Sequence, residues 1–170
     1  MIFSRLAYRT RQFLNALPGS QSRAENGTLL LHLSPSQIVL FRRMHSSEQA
    51  HAYRVLERLY AAGQTDTDLL TAALLHDVGK VLVPLSLLDR VVIVLGKRFF
   101  WRRTGRWSEE SPSRLRRPFI VAEHHPEWGA DLAEQTGASS RTVSLIRHHQ
   151  DVPVYDDSFL AALQSADDTN

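Results

Sequence analysis

The chain has 170 residues, which is enough for one domain with a sizeable buried core. It is 43% hydrophobic and 22% charged, with a formal net charge of +2, a composition that is typical of a folded globular protein and argues against a disordered chain. It contains no cysteine, which excludes disulfides, thiolate metal sites and cysteine nucleophiles, so any metal ion would need nitrogen and oxygen ligands.

The charge is unevenly distributed along the chain. Residues 1–23 carry four Arg and no acid, residues 90–117 carry nine Lys and Arg against Glu109 and Glu110, and residues 118–170 carry two Arg against nine acids. A basic segment of this kind can meet phosphate, nucleic acid or anionic lipid. It can equally form a solvated face that pairs with the acidic C-terminal part, and the sequence leaves both interpretations open.

The N-terminal segment, up to Pro18-Gly19, has the pattern of an amphipathic helix. Arg5, Arg9 and Arg11 interrupt its apolar residues, so it lacks the long apolar region of a secretory signal. No run in the chain reaches the ~18–20 apolar residues that a membrane-spanning helix needs. We expect a cytoplasmic protein whose N-terminal helix packs on the domain or contacts a membrane surface or a partner.

Helix signals dominate the rest of the chain. Residues 34–37, Ser-Pro-Ser-Gln, supply an N-cap, a proline at the first helical position and a capping-box glutamine for a helix over 38–44. A second helix is predicted over about 48–62, stopped by Gly63. Thr65 or Asp66 caps a third helix, whose apolar run at 69–75 is typical of a central, fully buried helix.

The second half of the chain gives further helices and one long insertion. Residues 85–100 are predicted as helix in spite of the β-branched run at 91–94, because nothing nearby offers a strand to pair with, and 104–117 are predicted as a loop. The remaining helices are predicted over 126–135, closed by Gly137, over 140–149, and from near Asp157 or Ser158. The sequence thus predicts an all-α fold, a single helical bundle with a central metal site. Its domain covers 34–170 with a basic insertion at about 90–117, and residues 1–33 form an N-terminal helix and linker.

Five of the eight histidines and two aspartates lie inside or at the end of these helices: His51, His76, Asp77, His125, His148, His149 and Asp167. Inward-pointing side chains from several helices are a common way to bind two metal ions. Helix neighbours point ~100° apart, so at 76–77 an imidazole can serve one ion while the carboxylate bridges to a second. Each histidine alone could be a surface residue or a favourable charge at a helix end. The joint pattern favours metal binding, because the pair at 76–77 follows an apolar run where unpaired polar groups are costly.

These residues carry a resemblance to a known family. The stretch 72–80, Ala-Ala-Leu-Leu-His-Asp-Val-Gly-Lys, resembles the signature of the HD superfamily of metal-dependent phosphohydrolases. The stretch 125–130, His-Pro-Glu-Trp-Gly-Ala, and Ala166-Asp167 are similar to later motifs of its HD-GYP branch, and 51–55 resembles the first histidine helix. In order, these motifs cover about residues 45–168.

Imidazole and carboxylate ligands together suit Fe, Mn, Ni or Zn, and the resemblance implies how they would be shared between two such divalent ions. One ion would be held by His51, His76, Asp77 and Asp167, and Asp77 would bridge to a second ion. The second ion would be held by His125, His148 and His149. His124, beside His125, could instead support the site by a hydrogen bond, and the Pro-Glu-Trp-Gly that follows favours His125 as the ligand.

The sequence departs from the HD-GYP pattern in two places. Residues 150–155, Gln-Asp-Val-Pro-Val-Tyr, follow the paired histidines and lack the Gly-Tyr-Pro segment, so cyclic-dinucleotide hydrolysis is not expected. The 47 residues between Asp77 and His125 include the basic stretch and are expected to form a lid or surface of their own.

The expected activity is that of a phosphohydrolase or phosphodiesterase, which cleaves a nucleotide-like or other phosphate ester through a metal-activated hydroxide. Asp77 and Lys80 are the predicted catalytic residues. Lys80 would contact the phosphate or the leaving group, or would instead cap a helix end. Arg98, Arg102 and Arg103 would bind or steer the anionic substrate.

Two other functions fit the same residues. Some HD domains hold two irons and oxidise organic substrates with oxygen. The metal ligands of those domains resemble the residues of this chain. Alternatively, the chain is a non-catalytic, metal-stabilised signalling or binding module that docks on nucleic acid or a membrane through its basic segment.

Overall fold

The structure is a computed structural model that describes residues 23–83, 117–152 and 156–168. These residues form helices and turns, and no strand occurs among them, so the predicted all-α fold is confirmed. The elements in chain order are α1 (Arg23–His32), α2 (Pro35–Arg42), α3 (Ser46–Ala61), α4 (Thr67–Leu75), a 3-10 helix (Val78–Leu82), α5 (Arg117–Gln135), α6 (Ser140–His148) and α7 (Ser158–Asp168).

Helix starts and stops follow the predicted signals over 34–75. Ser34 caps α2 in a complete capping box with Gln37, and Pro35 takes the first helical position. Asp66 caps α4, because its Oδ1 accepts a hydrogen bond from the backbone nitrogen of Leu69 at 2.9 Å. Gly63 follows α3 with φ of 77°, a left-handed conformation that ends the helix at little cost only for glycine.

Residues 23–32, within the segment predicted as an N-terminal helix and linker, form α1. Leu29 and Leu33 of this segment are 1% and 6% exposed and belong to the common hydrophobic core. The side-chain hydroxyl of Thr71 in α4 also donates to the carbonyl of His32 over 2.9 Å. Gly27 and Thr28 are weak helix formers, so tertiary burial rather than local propensity stabilises this helix.

The predicted start of α5 at Pro126 is wrong, because the helix begins at Arg117 and contains that proline. A proline at the first helical position is a common start signal, but here the chain is already helical before it. The preceding turns are held by tertiary packing, because Val121 is fully buried and its carbonyl bonds the ring of His125 at 2.9 Å.

The core surrounds α4, in which every residue from Leu69 to Leu75 is buried. This helix packs against α3, α6 and α7, while the 3-10 helix that follows it lies along α5, and α5 packs on α6. Among the described residues, no helix has the length and apolar content needed to cross a bilayer.

Several predicted features lie outside the described residues. They are the N-terminal amphipathic helix at 1–18, the helix at 85–100 and the loop at 104–117, apart from Arg117, which begins α5.

Candidate metal centre

Six of the seven predicted ligands meet at the C-terminal end of α4. His51 comes from the middle of α3, His76 and Asp77 from the turn between α4 and the 3-10 helix, and Asp167 from the last turn of α7. His125 lies in the middle of α5, and His149 directly follows α6. We call His51, His76, Asp77 and Asp167 the outer cluster, and Asp77, His125 and His149 the inner cluster. Asp77 belongs to both.

The outer cluster is compact around one imidazole nitrogen. Nε2 of His51 lies 2.8 Å from Oδ1 of Asp167, 3.1 Å from Nε2 of His76 and 3.8 Å from Oδ2 of Asp77. Nε2 of His76 is also 3.7 Å from one oxygen of each carboxylate. The side chains of His51 and Asp167 are 17% and 21% exposed, so this cluster lies close to solvent.

The inner cluster is enclosed. Oδ1 of Asp77 lies 3.2 Å from Nε2 of His125, and the ring centroids of His125 and His149 are 5.2 Å apart. His125 and His149 are 1% and 3% exposed, and the Nε2 atoms of both are buried without a hydrogen-bond partner in the described part of the chain. Two orphaned imidazole nitrogens beside a carboxylate oxygen are costly in a folded protein unless something binds them.

Three of the imidazoles are oriented by the backbone. Nδ1 of His76 donates to the carbonyl of Ala73 at 2.9 Å, Nδ1 of His125 to Val121 at 2.9 Å, and Nδ1 of His149 to Ile146 at 2.7 Å. A neutral imidazole that donates through Nδ1 carries its lone pair on Nε2. Each of the three rings therefore presents a lone pair to the cluster, which is the arrangement that orients histidine ligands in metal sites.

Burial keeps two of these rings neutral. Desolvation lowers the pKa of His149 to about 3, and the neighbouring His76 acts in the same direction. Desolvation also lowers the pKa of His76, and the nearby carboxylate of Asp77 only partly opposes this. Neutral imidazole is the form that binds metal, so neither ring has to lose a proton first at neutral pH.

The carboxylates of the site are ionised. Burial favours the protonated form of Asp77, but the charge of Lys80 is the main cause that opposes it, and the pKa of Asp77 lies well below its ordinary value. Burial acts on Asp167 in the same way, and the hydrogen bond from His51 outweighs it and lowers the pKa of Asp167. Two negative groups thus lie beside the neutral imidazoles of His76 and His149, which favours the binding of a divalent cation.

Lys80 is the cation of the site. Its Nζ lies 2.6 Å from Oδ2 of Asp77, and its side chain is 27% exposed. Desolvation opposes its charge, but the carboxylates of Asp77 and Glu48 raise its pKa above the ordinary value. The structure therefore places Lys80 in an ion pair with Asp77, which orients its side chain towards the carboxylate that the two clusters share.

His148 does not join the clusters, contrary to the prediction from the paired histidines. It is exposed, and its Nδ1 lies 2.7 Å from Oδ2 of Asp151 on the surface. The physical reason is helix geometry, because adjacent residues at the end of α6 point in different directions and only His149 faces the core.

His124 is also outside the clusters. It is exposed on α5, and its ring stacks on that of Trp128 with centroids 5.7 Å apart, while His125 points inward. The predicted substrate-binding residues Arg98, Arg102 and Arg103 lie outside the described part of the structure. Sequence reasoning missed the three carbonyls that orient the rings, although each lies three or four residues before its histidine on the same helix face.

The donor set fits divalent metal ions. Within the described residues, two groups can each offer three ligand atoms to one ion, one formed by His51, His76 and Asp77 and the other by Asp77, His125 and His149. Mixed imidazole and carboxylate ligands suit Fe, Mn, Ni or Zn better than Mg or Ca.

Comparison with known proteins agrees with this site. The family model for the HD domain matches residues 49–169, which is most of the chain and includes every residue of both clusters. The chain therefore belongs to the HD domain family, whose members are in general metal-dependent hydrolases. Searches of the curated proteins and of the solved structures found no match.

Proposed function

We propose that the chain is a metal-dependent phosphohydrolase that cleaves a phosphate ester, either nucleotide-like or of another kind. The main support for this proposal is the position of the Asp77 carboxylate. The two oxygens of Asp77 face separate sets of imidazole nitrogens, Oδ2 towards the outer cluster and Oδ1 towards the inner cluster. A carboxylate shared in this way supports two ions side by side, which is a common arrangement in enzymes that hydrolyse phosphate esters.

In this proposal the residues of the outer cluster would hold one divalent ion and those of the inner cluster a second, and Asp77 would be a ligand in both. Bound ions would supply Lewis acidity towards the phosphoryl oxygens and an activated water as nucleophile. The protein would contribute orientation and exclusion of water, since the ring nitrogens are fixed by backbone carbonyls and the inner cluster is buried. Substrate would approach from the outer cluster, because His51 and Asp167 are the more exposed ligands.

Lys80 is the residue that we propose for contact with the phosphate. Its ammonium group pairs with Asp77, and rotation of this flexible, partly exposed side chain would exchange the carboxylate for a phosphoryl oxygen. The proposal that Arg98, Arg102 and Arg103 steer an anionic substrate is supported by their place in the basic segment of the sequence.

The test combines metal content with activity. Protein purified without chelators is analysed for bound metals, loaded with Mn²⁺, Fe²⁺, Ni²⁺ or Zn²⁺ in turn, and assayed for phosphate release or diester cleavage on a panel of nucleotides and simple phosphate esters. We expect Asp77→Ala to lose both metal and turnover, because it removes a ligand from both clusters.

His125 and its neighbour His124 supply a matched control. His149→Ala and His125→Ala are expected to lose metal and activity, whereas His124→Ala keeps both, because its side chain lies on the surface. Metal bound by the unsubstituted chain without hydrolysis of any ester would contradict the proposed activity. Full metal content in Asp77→Ala would contradict the site itself.

A further inference from the structure

Gln164 is a buried amide on α7 that bonds to the turn carrying His149. Its side chain is 7% exposed, and its Nε2 donates to the carbonyl of Asp151 at 2.9 Å and to that of His148 at 3.4 Å. These two carbonyls flank His149 on either side in the chain. The amide therefore holds both sides of the segment from which a ligand of the inner cluster projects.

The same turn is closed by two further bonds. The amide of Asp151 donates to the carbonyl of His148 at 3.0 Å, and the carboxylate of Asp151 accepts from the ring of His148 at 2.7 Å. The ring of His149 is fixed within the turn by its bond to Ile146. These local bonds shape the turn, and Gln164 ties it to the helix that carries Asp167, three residues further along α7.

Stability alone is a poor explanation for an amide at this position. The Oε1 atom of Gln164 is buried and has no hydrogen-bond partner among the described residues, which is unfavourable in a folded protein. An apolar side chain of the same size would avoid that penalty. Compared with an apolar side chain, the amide adds two hydrogen bonds from Nε2, and both of these bonds hold the turn that carries His149.

We propose that Gln164 is a positioning residue that holds the His149 turn against α7 and so keeps the imidazole of His149 facing Asp77. The inference rests on the proposed metal site, and it concerns the inner cluster only. Removing the amide is expected to weaken metal binding at the inner cluster and to leave the outer cluster unchanged.

The experiment measures Co²⁺ binding by competition with a chromophoric chelator and by the visible absorption of the bound ion. Gln164→Met is introduced into a His51→Ala chain, which keeps the inner cluster complete, and into a His125→Ala chain, which keeps the outer cluster. In the first background we expect an altered spectrum and a loss of Co²⁺ affinity of about tenfold or more. A loss of that size is usual when a residue that orients a metal ligand is removed. The second background is expected to show no change.

Gln164→Met is expected to fold, since methionine has a similar volume and removes the unpartnered oxygen together with the donor. Gln164→Leu provides a second variant that has neither donor nor acceptor, and it is expected to act in the same direction. Gln37→Met is the matched control. Gln37 is 6% exposed and bonds the amide of Ser34 at the start of α2, so its loss is expected to lower stability without changing Co²⁺ affinity.

The outcomes separate this inference from the proposed function. If the unsubstituted chain binds no Co²⁺, the metal site is wrong and the role of Gln164 is overturned with it. If that chain binds Co²⁺ and Gln164→Met in the His51→Ala background binds it equally well, only the positioning role is overturned. Loss of cooperative melting in both Gln164 variants would show a role in stability instead, and would also overturn the inference.

Discussion

The backbones of Gly79 and His125 are in direct contact. A Cβ atom on Gly79 would overlap the carbonyl oxygen of His125 and would lie 2.7 Å from the amide nitrogen of Gly129. Gly129 has little more space, since a Cβ there would lie 3.2 Å from the amide nitrogen of Gly79. Two glycines thus let the 3-10 helix approach α5 closely, and this brings Asp77 within reach of His125.

Substitution of Gly79 is expected to disturb both stability and metal binding. We expect Gly79→Ala to cost about 1–3 kcal/mol of the free energy of unfolding, the range usual for overpacking, because its methyl group meets rigid backbone. It is also expected to reduce metal content, because the 3-10 helix and α5 must move apart. Urea denaturation and elemental analysis measure the two effects.

Gly27→Ala is the control for this substitution. Gly27 lies inside α1, and a Cβ there has no atom within 4 Å, so alanine is expected to stabilise the chain by about 0.5–1 kcal/mol through helix propensity. A Gly79→Ala chain with unchanged stability and metal content would contradict the close packing described here.

The sequence predicted where the site lies better than it predicted which of two adjacent histidines enters it. His76 and Asp77 could be placed at the core because an apolar run precedes them, and His125 could be preferred to His124 from the residues that follow it. His148 could not be separated from His149, because their directions depend on how α6 ends and packs. Paired histidines in a sequence therefore indicate a nearby site without showing which ring enters it.

Substitutions in α1 test whether this helix belongs to the domain. Leu29 is 1% exposed and part of the common core, so Leu29→Ala is expected to destabilise the chain by about 2–5 kcal/mol. Leu30 is 73% exposed, and Leu30→Ala is expected to change stability by less than about 0.5 kcal/mol. Thermal melts of the two variants give the comparison, and equal stability would return α1 to the role of a linker.

Asp157 is expected to stabilise the N-terminal end of α7 in a pH-dependent way. Its carboxylate accepts the amide hydrogens of Phe159 and Leu160 at 3.1 Å and bonds the guanidinium of Arg141. The hydrogen bonds from Arg141 are the main reason that the pKa of Asp157 lies below its ordinary value of 3.8. We expect Asp157→Ala to cost about 1 kcal/mol at pH 7, as for loss of an N-cap.

A carboxylate with a lowered pKa stabilises the folded state above its unfolded pKa and loses that contribution as the pH falls through the folded value. The stability difference between the unsubstituted chain and Asp157→Ala is therefore expected to be constant above about pH 5 and to shrink below pH 3.8. Asp156→Ala, a change at the exposed neighbouring residue, serves as control. A difference that persists unchanged to pH 2 would contradict the ionic part of this cap.

Metal ions are expected to stabilise the folded chain. An ion that binds only the folded state at about one hundred times its dissociation constant adds about 2.7 kcal/mol, so Mn²⁺ or Co²⁺ is expected to raise the Tm and a chelator to reverse the rise. Asp167→Asn is expected to lose part of this increase, because the outer cluster loses a charged ligand. Asp168→Asn, at the exposed next residue, is expected to keep it.

The parts of the site that the sequence did not reveal are those made by the backbone or by contacts distant in sequence. The start of α5 was obscured by Pro126, whose preceding turns depend on the burial of Val121. The bond from Gln164 to the His149 turn joins residues that no local pattern connects. Helix periodicity predicts which face is buried, but it does not predict which carbonyl or amide the opposite helix will meet.

The enclosure of the inner cluster has a kinetic consequence. His125 and His149 are almost inaccessible, so an ion held by them and Asp77 would be more enclosed than an ion in the outer cluster. Its release is expected to be slower than release from the outer cluster, because it needs more local opening of α5 and α6. The protein would then retain one ion through dialysis and give up the other readily, and the slow exchange rate would follow the amide hydrogen exchange of these two helices.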